Sequence, residues 1–252
     1  MAASFRLDGR RAIVTGASRG LGAAMTRALA EAGADVAGVA TGDLAATGSV
    51  VRDRGRRFVA IAEDLADTDA PGRIVARAVE AFGGVDILVN NAGIIRRADA
   101  LDFTQEDWND VLDVNLKAAF FLAQAVARRL VEQRHGGKIV NVASMLSFQG
   151  GVRVASYTAS KSGILGLTRL LANEWAACGI NVNAIAPGYM ATDNTAPLRA
   201  DPQRASEILA RIPAGRWGDP ADLDGAVVFL ASSASDYVHG TTLAVDGGWL
   251  AR

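Results

Sequence analysis

The stretch Val14-Thr-Gly-Ala-Ser-Arg-Gly-Leu-Gly22 decides the fold. An apolar run, 11-15, leads into it and a segment of helical period, 20-32, leaves it, so Gly16, Gly20 and Gly22 stand in a strand-turn-helix context. Without side chains at those positions a backbone can approach a pyrophosphate, and the helix N-terminus offers free N–H groups and a partial positive charge. The spacing is G-x-x-x-G-x-G rather than the general dinucleotide fingerprint G-x-G-x-x-G, and a glycine cluster alone also fits a simple turn. The surroundings must decide between the two.

Outward from this stretch, apolar runs of strand length alternate with longer segments of helical period. Strands are expected at 11-15, 35-40, 57-61, 86-89, 137-143, 180-186 and 242-245, and helices at 20-32, 43-54, 69-82, 105-133, 156-177, 202-211 and 220-231. Continuous apolar strands such as Lys138-Ile-Val-Asn-Val142 suit a sheet covered on both faces, which implies parallel strands joined by crossover helices. The expectation is a Rossmann-like, doubly wound α/β sheet of about seven strands. Gly33, Gly55, Gly83-Gly84, Gly136-Gly137 and Gly179 fall just after helical segments, where a left-handed C-cap favours glycine. The segment 188-215, with Pro197, Pro202 and Pro213, reads as irregular and sits where a substrate lid would.

A chain of 252 residues, half of them apolar, fits one domain, 1-252, with a substantial core. Its net charge of −1 lacks the basic footprint that a nucleic acid partner needs. One cysteine, Cys178, and two histidines, His135 and His239, leave no disulfide and no metal-ligand cluster, so no metal is expected and the chain reads as cytoplasmic. Residues 1-11 lack the apolar core of a signal peptide, and no apolar run has membrane-spanning length, so no membrane partner is expected either.

Three loops should converge on the C-terminal edge of such a sheet, where ligands bind. They are the glycine loop with Ser18, Arg19 and Leu21, then Asp64-Leu65, then Asn90-Asn91-Ala92-Gly93. Asn90 fits either a tight turn or a cofactor contact, and the two are compatible. Selection between NAD and NADP usually lies at the end of the second strand, where an acid binds the ribose 2′-hydroxyl. Ala40 stands there, and Arg19 either reaches a 2′-phosphate or is a solvated loop arginine.

Ser156-Tyr157-Thr-Ala-Ser-Lys161 opens a long helical segment, and positions four apart share a helix face, so Tyr157 and Lys161 project together. A free phenol has a pKa near 10, and a nearby ammonium joined by an oxidised nicotinamide favours the phenolate. Tyr157 then serves as general acid and base while hydride passes between a carbinol carbon and the nicotinamide. Ser144, at the end of the fifth strand, can hold the substrate oxygen. Asn115 is polar within an apolar helical run, which fits a core amide or part of a water-mediated proton relay.

With these residues in place the sequence resembles the short-chain dehydrogenase/reductase family over about residues 7 to 250. The glycine loop, Asn90-Asn-Ala-Gly93, Asn115, Ser144, Tyr157-x-x-x-Lys161 and Pro187-Gly188 with Met190 and Thr192 stand in that family's order and spacing. The resemblance implies a catalytic tetrad of Asn115, Ser144, Tyr157 and Lys161, with Lys161 also bonding the nicotinamide ribose and Thr192 the carboxamide. Less generic stretches, among them Ala143-Ser-Met-Leu-Ser-Phe-Gln-Gly-Gly-Val-Arg153, resemble the family's sugar-acid dehydrogenases. Those typically use NAD, form homotetramers and reduce a keto sugar acid, although Arg19 departs from their usual residue and keeps NADP open.

A small-molecule substrate with a carboxylate calls for an arginine, which can bind it with two parallel hydrogen bonds. Arg96, Arg97, Gln149 and Arg153 occupy loops beside the tetrad; alternatively the arginines are solvated or pair with Asp99 and Asp102. Met190, Trp217 and Trp249 either border the pocket or simply pack. Two rival functions remain at this point: a 3-oxoacyl thioester reductase sharing the tetrad, and a dinucleotide-binding sensor without turnover, which would have no use for Tyr157 or Lys161.

Overall fold

The first strand shows why a two-faced sheet forms. In β1 (Arg11–Thr15), Ala12 and Val14 join one buried apolar cluster while Ile13 joins another on the opposite face. A strand apolar on both sides needs cover on both sides. In the computed structural model, which describes residues 4–252, β1 is followed by β2 (Asp35–Ala40), β3 (Phe58–Ala62), β4 (Ile87–Asn90), β5 (Gly137–Val142), β6 (Ile180–Pro187) and β7 (Thr242–Val245). All neighbours pair in parallel, in the order β3-β2-β1-β4-β5-β6-β7. Chain direction across the sheet reverses between β1 and β4, so a crevice opens beyond their C-terminal ends.

The helices supply the cover. On one face α1 (Gly20–Ala32), with Met25 and Leu29 fully buried, packs against the late helix Asp224–Ala231. Between β2 and β3 the chain forms α2 (Ala45–Arg52). On the other face α3 (Ala70–Phe82) buries Ile74 and Ala78. Then come α4 (Gln105–Leu112), α5 (Ala118–Gln133), which buries Leu122, Val126 and Leu130, and α6 (Ala155–Trp175).

Four sequence expectations need correction. The helix expected over 105-133 is interrupted by a π-helical turn, Asp113–Lys117, because one extra residue in a turn leaves no trace in a three-and-four spacing of apolar positions. In the segment 188-215 the helix expected over 202-211 forms as α8 (Pro202–Arg211), but the stretch before it is not irregular: a tight turn at Asp193–Thr195 leads into α7 (Ala196–Ala200), and the helix Asp224–Ala231 is therefore α9. Pro197 and Pro202 lie in the first turns of these helices, where a missing N–H breaks no helical bond. Asp201 caps α8 by accepting from the N–H groups of Gln203 and Arg204. The helix expected from 220 opens as a 3-10 turn at Pro220–Leu223. Finally, the C-cap of α5 is Arg134, in the left-handed region at φ 55°, and Gly136 adopts that conformation two residues later.

Beneath α8 lies an aromatic cluster. Tyr189 stands 4.8 Å from Trp249 and 5.6 Å from Trp217 between ring centroids, and the Arg211 guanidinium lies 4.0 Å over the Trp249 ring. Trp217 and Trp249 therefore seat α8 and do not line the crevice.

Candidate active site

The crevice is a cleft of about 610 Å³ walled by the ends of the central strands. Its floor is the glycine loop. Gly20 has φ 55°, a left-handed conformation that strains any side chain. Gly22 is required by close approach: a Cβ there would run into the Gly16 carbonyl oxygen and stand 2.5 Å from Asn91 Nδ2. The loop and the β4 end are thus closely packed through Thr15 and Asn91. The Thr15 hydroxyl accepts from the N–H groups of Asn91 and Ala92, both at 3.0 Å, while the Asn91 amide donates to the Thr15 carbonyl at 2.8 Å. This leaves a cradle of main-chain N–H groups at the start of α1, shaped for a pyrophosphate.

Gly16, Ser18, Arg19, Gly20, Leu21 and Gly22 all line the cleft, as do Asp64, Leu65, Asn91, Ala92 and Gly93. From the other side come Ser144, Tyr157, Lys161, Pro187, Gly188, Met190 and Thr192. Asn90 does not contribute: it is buried, and its amide donates to the Ala119 carbonyl and to Asn141 Oδ1. Asp193 also lines the cleft although the sequence did not single it out. Its position immediately after Thr192 was the available signal.

Tyr157 and Lys161 occupy the first turns of α6 and face the cleft together, with the ammonium 5.7 Å from the tyrosine ring centroid. Lys161 is 4% exposed, and Nζ donates to the Val142 carbonyl at 2.7 Å. Burial drives its pKa down to about 8. Burial also pushes the Tyr157 hydroxyl up, while the Ser144 hydroxyl and the charge of Arg97 act in the opposite direction. Desolvation outweighs both, and the lowering expected from Lys161 is not among the causes that act on Tyr157 in the protein alone. Ser144 caps the short turn Met145–Ser147, its hydroxyl accepting from Leu146 N–H at 3.2 Å.

Asn115 lies in the π-helical turn, 2% exposed, and does not line the cleft. Its amide accepts from Ile94 N–H at 2.8 Å and donates to the Ile94 carbonyl at 3.0 Å and the Ser160 hydroxyl at 3.3 Å. These bonds satisfy its side chain within the core. Gly93 separates it from Lys161, since a Cβ on Gly93 would stand 3.2 Å from Asn115 Oδ1 and 3.7 Å from Lys161 Nζ. Asn115 therefore holds in place the β4 loop that passes Lys161.

The four substrate candidates separate clearly. Arg96 lines the cleft but pairs with Asp107 at 3.3 Å and Asp110 at 3.0 Å. Arg153 and Gln149 lie outside it, and Arg153 pairs with Asp99 at 3.3 Å. Arg97 also lies outside the cleft lining and makes no ion pair among the described residues; it donates to the Asn194 carbonyl at 3.1 Å, and its charge is felt at Tyr157.

Comparison with known proteins bears on this geometry. A family model described as enoyl-(acyl carrier protein) reductase matches residues 16–250. The chain is 60% identical over 249 residues to a 2-dehydro-3-deoxy-D-gluconate 5-dehydrogenase of Dickeya dadantii, covering 99% of this chain and 98% of that protein. It is 41% identical over 246 residues to a 3-oxoacyl-[acyl-carrier-protein] reductase of Vibrio cholerae, covering 97% and 98%. A solved structure from Agrobacterium tumefaciens, described as a 2-deoxy-D-gluconate 3-dehydrogenase with bound NADP, superposes with a TM-score of 0.93 at 56% identity, covering 98% of this chain and 99% of that one.

Proposed function

The chain belongs to the short-chain dehydrogenase/reductase family, and we propose that it interconverts a keto and a hydroxyl group on a sugar acid, as 2-dehydro-3-deoxy-D-gluconate 5-dehydrogenases and 2-deoxy-D-gluconate 3-dehydrogenases do. The cofactor is a nicotinamide dinucleotide, NAD or NADP, whose ring when bound accepts or supplies hydride. The glycine loop would cradle its pyrophosphate, and Met190 and Thr192 would help hold the nicotinamide end. Ser144 holds the substrate oxygen. Tyr157 takes the hydroxyl proton as the alcohol is oxidised and returns it as the ketone is reduced. Lys161 would hold the nicotinamide ribose, and its cationic form favours the phenolate. Asn115 keeps the Ile94 segment against this pair.

The observation that supports a sugar acid is Arg97, an exposed cation just outside the cleft lining whose charge is felt at Tyr157 and whose partner among the described residues is a main-chain carbonyl, not a carboxylate. A carboxylated substrate would supply the missing counter-ion. Steady-state kinetics test this with a 2,5-diketo sugar acid, an uncharged analogue and a 3-oxoacyl thioester, each with NADH and NADPH. Arg97→Ala is expected to lower kcat/KM for the acid about 10- to 100-fold, the worth of a charge-assisted bidentate contact, with a small effect on the analogue. Equal losses on both, or faster turnover of the thioester, would sink the reading.

We place the reaction in the cytoplasm and the protein in a homotetramer. The observation that supports assembly is an apolar groove between α5 and α6, where Val131 and Leu170 are exposed beside Phe120 and Trp175 and the rim carries Arg128, Glu132 and Glu174. Two copies related by a two-fold axis would cover these side chains and pair charges of opposite sign. The unpaired edge of β7, with Leu243 exposed, offers a second face. The segment 188-215 is proposed as the substrate lid, seated on its aromatic cluster.

A further inference from the structure

Arg19 and Asp193 come from opposite walls of the cleft, one in the glycine loop and the other in the turn that begins the 193–195 segment. Their side chains meet at 3.4 Å between Nη1 and Oδ2. Both are mostly exposed, at 78% and 75%, so water screens the pair and it breaks easily. We propose that Asp193 is a specificity-determining residue for the dinucleotide: by holding Arg19 it disfavours a 2′-phosphate on the adenosine ribose relative to a free 2′-hydroxyl.

The end of β2 explains why this pair matters. Val39, Ala40 and Thr41 line the cleft there and none carries a charge. The acid that follows, Asp43, is directed to its own backbone, accepting from Ala45 N–H at 2.8 Å. Gly42 lies against the glycine loop, since a Cβ on it would stand 3.8 Å from the Ser18 hydroxyl, one residue before Arg19. A phosphate arriving between the β2 end and the glycine loop therefore meets Arg19. To bind, it must draw that guanidinium from Asp193. NAD lacks the phosphate and leaves the pair intact. Discrimination at this site thus comes from the far wall of the cleft, in place of the acid that the C-terminal end of β2 does not carry.

The inference rests on the cleft binding a nicotinamide dinucleotide, and binding of each cofactor to the full-length protein tests the two separately. Titrations of NAD and NADP are run by calorimetry on the unaltered protein, Asp193→Asn, Arg19→Ala and the double variant. Asp193→Asn is expected to raise affinity for NADP over NAD about two- to five-fold, the range of an exposed ion pair. Asp193→Glu should keep the original ratio. In the Arg19→Ala background the same Asn substitution should leave the ratio unmoved, because the pair is already gone. An Asp193→Asn effect equal on both dinucleotides, or one that persists without Arg19, overturns the inference alone. An unaltered protein that binds neither dinucleotide overturns the dinucleotide reading and the inference with it.

Discussion

Lys161 carries a cost that its function explains. Its pKa falls from 10.5 to about 8 because burial penalises the ammonium. Below pH 8 it is protonated in both the folded and unfolded chain, and the penalty is fully present. Between pH 8 and 10.5 the folded state gives up the proton while the unfolded state keeps it, so stability rises with pH through that window. Lys161→Met, which fills similar volume without the charge, is expected to stabilise the protein below pH 8 by on the order of 2 kcal/mol, the desolvation cost less one lost hydrogen bond to Val142, while abolishing turnover. The gain should shrink steadily above pH 8, and thermal denaturation across pH 7 to 10 measures it; a gain independent of pH would contradict this account. The pairing of Tyr157 with Lys161 was legible in their four-residue spacing. The direction of their pKa shifts was not, because burial comes from strands and loops far away in the chain.

At the scale of elements, the glycine loop divides glycines that shape the site from those that do not. Gly22→Ala would press a methyl group into the Gly16 carbonyl and the Asn91 amide, forcing α1 and the β4 loop apart. It is expected to weaken dinucleotide binding at least ten-fold and cost about 1–3 kcal/mol of stability. Gly72→Ala, in α3 with open space around it, should instead stabilise by about 0.4–1 kcal/mol. Cofactor titration and chemical denaturation of both variants read the contrast, and equal effects would show that close approach is not what Gly22 provides. The strand-turn-helix setting of this loop could be read from its sequence because apolar period changes across it. The π-helical turn that carries Asn115 could not, since its apolar positions before and after still fit one helix. In 188-215 the helix from Pro202 was legible, whereas the short α7 was hidden by Pro197, which in fact lies in its first turn.

For the whole molecule, alternation of apolar strands with helical segments was enough to indicate a doubly wound sheet and the edge where its loops converge. Which apolar side chains face a partner was not legible, because core and interface positions follow the same helical period. Leu171 is 2% exposed and belongs to the core, whereas its neighbour Leu170 is 46% exposed at the groove; Phe120 packs inward beside an exposed Phe121. Leu170→Arg is expected to halve the mass of the assembly without loss of secondary structure, as sedimentation and circular dichroism would report. An unchanged mass would remove this face from the assembly.

The turn at Asp193–Thr195 is held from both sides, by Arg19 of the glycine loop and by Arg97 of the β4 loop through the Asn194 carbonyl. Arg19 lines the dinucleotide cleft, and the charge of Arg97 is felt at Tyr157. A ligand that draws either arginine toward itself alters the turn on which the other depends, so the two binding equilibria share a free-energy coupling. Such coupling is reciprocal. Whatever factor the sugar acid imposes on dinucleotide affinity, the dinucleotide must return to the sugar acid.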